Sequence, residues 1–495
     1  MTREEEIRKE RLKKIEELKK QGNEPYKHRF QFKDHAIELH KKYEKLKEDE
    51  KTKDKVSLAG RVVALRIHGK INFATLQDST GRIQLCVEEQ ESGSELCEFL
   101  KNFVDSGDVI GIEGIIFKTK RGELTVLVKK LELLTKSIAP LPDKWHGLQD
   151  KEERYRQRYV DLIMNPEVKE VFMKRSKIIE AMREFLISKS FIEVETPVLQ
   201  PIYGGASAKP FESKLNALDM KVYMRISNEM YLKRLIVGGY EKIFEFSKDF
   251  RNEGVDWAHN PEFLQMETMW AYANYEDNMK FNEEIIAFIA KKVLGTTKIE
   301  YRDKQIDLTP PFKRIEFKDA VMKETKIDIN KADNFEKLKK EIISKKLTNV
   351  DVNRCFHYGA LLDELYKRVI RPKIIQPTFL THYPVEMIAL AKRNEKDRTK
   401  INSFQLLIDG MEISKSYDEL NDPEDQKVRL EEQNQLLKKG DQEAMPIDKE
   451  FIEALEYGMP PTSGLGVGVD RLVMVLTNTA SIRDVILFPF MRPEK

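Results

Sequence analysis

The chain has 495 residues, too many for one ordinary domain, and 40% of them are hydrophobic, enough for more than one core. Its 86 basic and 84 acidic residues leave a formal net charge of +2, so the chain is no polycation, and any contact with nucleic acid must come from a local surface. Cys86, Cys97 and Cys355 form no CxxC pair, which argues against a disulfide framework and makes the cytosol the expected compartment. No run of about 18 apolar residues predicts a membrane span, and the acidic N-terminus lacks the apolar stretch of a signal peptide.

Residues 1–54 are dominated by charge. Ile7, Leu12, Ile15 and Leu18 recur at helical spacing and Gly22 follows as a stop, predicting a helix laid on the body through a narrow apolar stripe. A Lys/Arg face turned to RNA is the alternative, weakened by the equally frequent Glu. Over 55–136 the pattern changes to short strands at 56–65, 73–77, 82–87, 109–117 and 123–128, with a helical stretch at 95–104. Five strands and one inserted helix suit an oligonucleotide-binding (OB) type β-barrel. Alternation puts Ile83, Leu85, Val87, Ala74 and Leu76 inside and leaves Phe73, Gln84 and Glu123 outside. One aromatic ring and two hydrogen-bonding side chains on an outer face suit stacking and edge-reading of a nucleobase. They equally suit the surface of an ordinary barrel.

Pro140, Pro142 and the charged run 150–158 read as a linker over 137–165. Residues 166–495 predict a large α+β domain: a helix over 168–188, strands at 221–226, 243–247, 263–273, 405–413 and 464–468, and further helices between them. Such an order suits an antiparallel sheet with packed helices. Neither a GxxxxGK[ST] loop nor a strand–GxGxxG–helix unit is present, so the common nucleotide-binding folds are not supported.

Chemistry concentrates in two places. Between the strands at 243–247 and 263–273 lies a polar loop bearing Arg251, Glu253 and His259, with Arg225 on the strand before. An arginine at a strand end is an always-charged fork for phosphate; an Arg–Glu surface pair is the plain alternative. In the segment 464–471, Gly464, Gly466 and Gly468 alternate before Asp470 and Arg471. Alternate glycines clear one face of a strand for a flat ligand, and Arg471 stands where the following helix begins, an end that favours phosphate.

Three segments, Phe191-Ile192-Glu193-Val194-Glu195-Thr196-Pro197, Phe250-Arg251-Asn252-Glu253-Gly254 with His259-Asn260-Pro261-Glu262-Phe263, and Gly464 to Arg471, resemble the three signature motifs of class II aminoacyl-tRNA synthetases. With the N-terminal barrel, the chain looks like the subgroup of aspartyl, asparaginyl and lysyl enzymes. Gly204-Gly205-Ala206, Tyr155-Arg156-Gln157-Arg158-Tyr159, Leu141-Pro142-Asp143-Lys144 and Leu420-Asn421-Asp422-Pro423 are most similar to the lysyl members. The resemblance implies ATP, L-lysine and tRNA(Lys) as substrates, Mg²⁺ as cofactor, and a homodimer. It implies Arg251 on the α-phosphate and the substrate carboxylate, Arg471 and His259 on the γ-phosphate, and Phe263 on adenine, with Glu253 and Asn260 nearby. Glu229 and Glu267 would take the α-ammonium, Glu419 the ε-ammonium, Tyr417 the stem, and Gly205 would admit the substrate to the backbone. Glu412 and Gln405 would hold the metal, and Phe73, Gln84 and Glu123 fall at positions that read anticodon uridines.

Four positions depart from the family pattern: Met269 stands for a tyrosine at the ammonium site, Lys415 for an asparagine, Gln405 for a metal-binding glutamate, and Ala389 for a proline. Divergence within one function is the plain reading. Altered amino-acid choice, or a weakened enzyme serving as an RNA-binding or interaction protein, are the alternatives.

Overall fold

The computed structural model describes residues 2–142 and 150–493; Asp143 and Lys144 of one quoted segment lie outside the described residues. The chain forms two compact units, Met1–Gln149 and Asp150–Lys495.

In the first unit, β1 (Lys51–His68), β2 (Ile71–Gln77), β3 (Arg82–Glu88), β4 (Val109–Lys118) and β5 (Leu124–Thr135) close into a barrel in the order β1-β2-β3-β5-β4. Ala74, Leu76, Ile83, Leu85, Val87, Val126 and Val128 fill its interior, as the alternation requires. Helix α1 (Arg3–Lys20) precedes the barrel, and α2 (Ser94–Phe103) separates β3 from β4. A Thr2–Glu5 capping box starts α1, and Gly22 follows its end at φ 76°. The expected apolar stripe is only partly used: Ile15 and Leu18 are buried, but Leu12 is exposed. A buried guanidinium does much of the docking. Arg11 donates to the carbonyls of Ser137 (3.1 Å), Ala139 (2.9 Å) and Ser106 (2.9 Å), and Lys14 pairs with Asp105 at 2.8 Å.

The second unit begins inside the stretch expected as linker. Lys151–Arg156 and Arg158–Met164 are helical. Arg158 is fully buried, pairs with Asp161 and donates to the carbonyls of Leu487 and Arg483, both at 3.0 Å. The arginines of this run are paired within the unit while Lys151 and Glu153 face solvent, a division that composition does not reveal.

Helices α3 (Pro166–Ser188), α4 (Glu229–Val237), α5 (Tyr275–Leu294) and α6 (Val469–Leu476) surround an eight-stranded sheet. Its strands are β6 (Ile192–Glu193), β7 (Lys242–Phe250), β8 (Glu262–Ala271), β9 (Lys313–Glu316), β10 (Thr378–Thr381), β11 (Ser403–Ile408), β12 (Met411–Asp418) and β13 (Thr462–Gly468). They lie in the order β9-β10-β11-β12-β13-β8-β7-β6, antiparallel except for the edge pairs β9–β10 and β7–β6. The single strand expected over 405–413 is a hairpin. Asp409 and Gly410, at φ 47° and 70°, make a two-residue turn that the flanking apolar run concealed. One face of the sheet packs Phe244, Met266, Ile413, Leu465 and Val467 against α3, α5 and α6. The other carries the polar groups. Among the described residues, no helix is long and apolar enough to cross a membrane.

Candidate active site

Strand register sets out that polar face. Glu267 on β8 stands opposite Glu245 on β7 and Gly466 on β13; Met269 and Tyr417 both stand opposite Gly464, and Lys415 opposite Gly466. Side chains at every second position share a face, so Gln265, Glu267, Met269, Lys415 and Tyr417 look the same way over the glycines. A Cβ on Gly464 would collide with the Glu419 carboxylate and lie 3.0 Å from Met269 Sδ; one on Gly466 would lie 2.9 Å from Gln265 Nε2. The alternation of glycines therefore makes room for neighbouring side chains as well as for a ligand.

At one end of the face three carboxylates meet. Glu229 opens α4, Glu267 lies on β8 and Glu419 follows β12, and all three are buried. Tyr417 donates its hydroxyl to Glu229 Oε2 at 2.6 Å. Gln265 Nε2 donates to Glu267 Oε2 at 3.1 Å. Burial, then the charges of Glu229, Asp249 and Glu419, push the Glu267 carboxyl well above its ordinary range. Burial also raises Glu419, against the pull of Lys233. Gly205 sits at φ 86° with its Cβ position 2.7 Å from Ser227 Oγ and 3.1 Å from Glu229 Cβ, so only glycine fits against the start of α4.

Lys233 was not foreseen. It lies one helical turn after Glu229, and its ammonium bridges Glu229 Oε1 (2.6 Å) and the carboxylate of Glu419. The Glu-xxx-Lys spacing was visible in the sequence, but such a pair is ordinary on a helix surface; only its complete burial sets it apart. The departures around this end are placed as follows. Met269 is buried against Gly464. Lys415 holds its ammonium 5.6 Å from the Tyr417 ring and forms no ion pair among the described residues. Ala389 accepts at its carbonyl from Gln426 Nε2 at 3.3 Å.

At the other end, Arg251 leaves β7 with Nε and Nη2 both 3.3 Å from the Ile226 carbonyl, and its guanidinium lies 4.9 Å from the centre of the Phe263 ring. Among the described residues Nη1 has no hydrogen-bond partner and can meet an anion. Arg471 donates from Nη1 to the Glu412 carbonyl (3.1 Å) and from Nη2 to His259 Nε2 (3.1 Å). Arginine only donates, so Nε2 is the acceptor and the proton of His259 sits on Nδ1, 2.9 Å from Asp256. Burial, followed by the Arg471 charge, lowers the His259 pKa in agreement with that neutral form. Here His259 orients Arg471 and has no donor to spare. Burial also lowers the Arg471 pKa, with Arg371 and Arg251 adding to the shift against Glu412. Such crowding of cations is what a polyphosphate relieves. Arg371 carries no signal in the sequence beyond its charge. Asn260 donates from Nδ2 to the Glu262 carbonyl at 2.6 Å, while its buried Oδ1 has no partner; Glu253 is exposed on the loop.

Two expectations change besides that for His259. Arg225 is buried and spent on Glu245 (2.7 Å), Asp249 (3.4 Å) and the carbonyls of Thr196 and Lys248, so it braces β7 and offers nothing to a ligand. Gln405 accepts the hydroxyls of Tyr366 (2.6 Å) and Tyr383 (3.0 Å) on its one amide oxygen. Both lone pairs are filled, and Gln405 is no metal ligand in this arrangement. Glu412 stays half-buried beside the arginines with no ion pair of its own among the described residues. One carboxylate together with phosphate oxygens suits Mg²⁺, which binds in that way to nucleotides; among the described residues no three or more His, Cys, Asp or Glu are arranged to hold a metal ion by themselves.

On the barrel, Phe73 and Gln84 are half-buried on the outer surface and Glu123 is exposed at the start of β5. Gln84 donates to Thr125 Oγ1 at 3.0 Å and accepts from Arg66 at 3.3 Å, and Arg66 stands opposite Phe73 in the β1–β2 register. Arg66 supplies the local cation that the chain's overall charge does not; it lies on β1, outside the alternation of β2, β3 and β5 that marks the other three residues.

Comparison with known proteins bears on both units. Residues 150–492 match the family described as tRNA synthetases class II (D, K and N), and residues 56–134 match the OB-fold nucleic acid binding domain. The chain is 47% identical to the lysine–tRNA ligase of Nostoc punctiforme over 99% of its length and 88% of that protein. It is 48% identical to those of Thermosynechococcus vestitus and Carboxydothermus hydrogenoformans, over 99% of its length and 97% and 98% of theirs. With an OB barrel, an antiparallel sheet and arginines gathered at one end of a carboxylate-lined face, the chain belongs to the class II tRNA synthetases of the aspartate, lysine and asparagine group.

Proposed function

We infer that the chain is a lysine–tRNA ligase, which activates L-lysine with ATP and transfers it to the 3′-end of tRNA(Lys). The observation that carries the amino-acid choice is the set of three buried carboxylates, Glu229, Glu267 and Glu419, at one end of the sheet face. Buried carboxylates demand cations; Lys233 alone cannot serve all three, and an acidic or amide side chain would leave Glu267 without one. The relatives above carry the same activity in their names.

In this reading the substrate carboxylate needs no general base. Its oxygen attacks the α-phosphorus, the bond to the β-phosphate oxygen breaks, and pyrophosphate leaves. Arg251 meets the α-phosphate and the carboxylate, Arg471 meets the γ-phosphate from the orientation His259 gives it, and Phe263 stacks on adenine once Arg251 turns to the phosphates. Asn260 offers its unpaired oxygen near that ring, and Glu253 stands at the mouth. Catalysis is positioning and charge neutralisation. Bound Mg²⁺, held by Glu412, would add charge neutralisation on the phosphates. The terminal 3′-hydroxyl of tRNA then attacks the acyl carbon, AMP leaves, and the hydroxyl proton passes to a departing phosphate oxygen. Gly205, Tyr417 and Glu419 line the side-chain end. Phe73, Gln84 and Glu123, with Arg66, read the anticodon uridines.

Homodimer formation through the α3 region is supported by exposed Met173, Ile187, Ile192 and Leu199 beside the open edge of β6. A cytoplasmic location suits three free cysteines. Pyrophosphate exchange measured across the amino acids tests the assignment. Exchange with lysine is expected; exchange with aspartate or asparagine in its place overturns it. A monomer in sedimentation at micromolar concentration overturns the dimer.

A further inference from the structure

Lys233 is a complete lysine side chain inside a pocket assigned to lysine. It is fully buried, and its ammonium lies between Glu229 Oε1 at 2.6 Å and Glu419. The rings of Tyr417 and Phe451 flank it at 5.8 and 5.9 Å. Glu229 is thereby held at both oxygens, since the second accepts from Tyr417, and each oxygen keeps a lone pair. Glu267 has only the Gln265 amide and no ion pair among the described residues. The charged groups facing Lys233 are Glu229 from its own helix and Glu419 from beyond β12. Glu267 on β8 faces those two carboxylates, with Asp249 and Asp418 behind.

We propose that Lys233 is a positioning residue that sets amino-acid specificity: a resident ammonium that cancels one of three buried carboxylates and matches the rest to a substrate with two ammonium groups. With all three carboxylates ionised, the state that incoming ammonium groups favour, one resident ammonium leaves an excess of two negative charges. Free lysine brings two ammonium groups, while its own carboxylate goes to Arg251. The substrate then pairs with Glu267 and with the oxygen of Glu419 that faces Gly464, and Glu229, held by Lys233 and Tyr417, meets it with its remaining lone pairs. Without Lys233 one carboxylate would remain uncompensated in a buried site, which is costly. The inference rests on the lysine reading above.

The test is Lys233→Met, which keeps the length and apolar bulk of the stem and removes the charge. The KM for lysine in pyrophosphate exchange should rise roughly 30-fold or more, the cost of breaking a buried charge pair, with a smaller change in kcat. With the cation gone the carboxylates hold protons to higher pH, so the KM should climb as pH falls, from a higher starting pH than in the unmodified enzyme. Adding Glu229→Gln restores two carboxylates and should lower the lysine KM below that of Lys233→Met alone. A merely structural lysine predicts unchanged KM and pH profile, or a second loss on adding Glu229→Gln; either result overturns the proposal. Should the variants not fold, a crystal structure of the unmodified enzyme with L-lysine decides: Lys233 still bridging Glu229 and Glu419 supports it, and Lys233 displaced overturns it. If the unmodified enzyme does not activate lysine, the functional reading fails; if it does and Lys233→Met behaves as unmodified, only this inference fails.

Discussion

The polar face of the large sheet and the outer face of the barrel are both built by strand alternation, yet they hold their groups in different ways. On the sheet, Glu229, Glu267, Glu419, Arg225 and Lys233 are buried, and most of their polar atoms are tied to a partner. On the barrel, Phe73, Gln84, Glu123 and Arg66 are half-buried or exposed, with one long hydrogen bond among them, from Arg66 to Gln84 at 3.3 Å. Water satisfies whatever the barrel leaves unpaired, whereas a buried charge must find its partner within the fold. Pre-organisation is therefore concentrated on the sheet face, and adaptable stacking on the barrel. Each can be broken without the other.

The largest effect should come from Arg251→Ala. Loss of a charged donor from the transition state should lower kcat for pyrophosphate exchange by about 100- to 1000-fold, with tRNA binding at the barrel retained in a filter-binding assay. Gly464→Ala comes next. Its Cβ would drive Glu419 from its place, and the disturbed charge-assisted contact should raise the lysine KM by roughly 10- to 100-fold while the ATP KM stays near its starting value. Phe73→Ala reverses the pattern: tRNA KM should rise by about tenfold, the worth of one stacked base, and exchange should not change. An equal loss in exchange would mean that the two faces are not separable. The smallest effect concerns pH. The His259 pKa is lowered in the folded chain, so the neutral ring that accepts from Arg471 persists through neutrality. Folded protein then binds fewer protons than unfolded at this site, so both the contact and its share of stability are lost as pH falls below the ordinary histidine range. A modest rise in ATP KM below about pH 6 should follow, and His259→Gln should flatten it.

Alternation found the barrel interior and its outer residues because a period of two survives in short strands regardless of what packs around them. The same rule found the glycine-alternating strand. It missed the turn at Asp409 and Gly410, since apolar residues on both sides hid the break. Charge was the weakest guide. Arg11 reads as part of a solvated charged face and Arg158 as part of a linker, and both are buried on backbone carbonyls. Gln405 reads as a weakened metal ligand and is held by Tyr366 and Tyr383, neither near it in the chain.

By itself the sequence determined the two units' fold types and the order of the three motifs, because motifs and periodicities are local. Which charges are free for a ligand was decided only by tertiary structure. Arg225 and Arg251 flank the same strand, and only contacts with Glu245 and Asp249 make the first a brace and leave the second an open fork. Glu229 and Glu419 are 190 positions apart in the chain, and Lys233 joins them because the start of α4 and the end of β12 meet at one end of the sheet. Burial turns a charge into an obligation to a partner, and burial is a property of the folded chain.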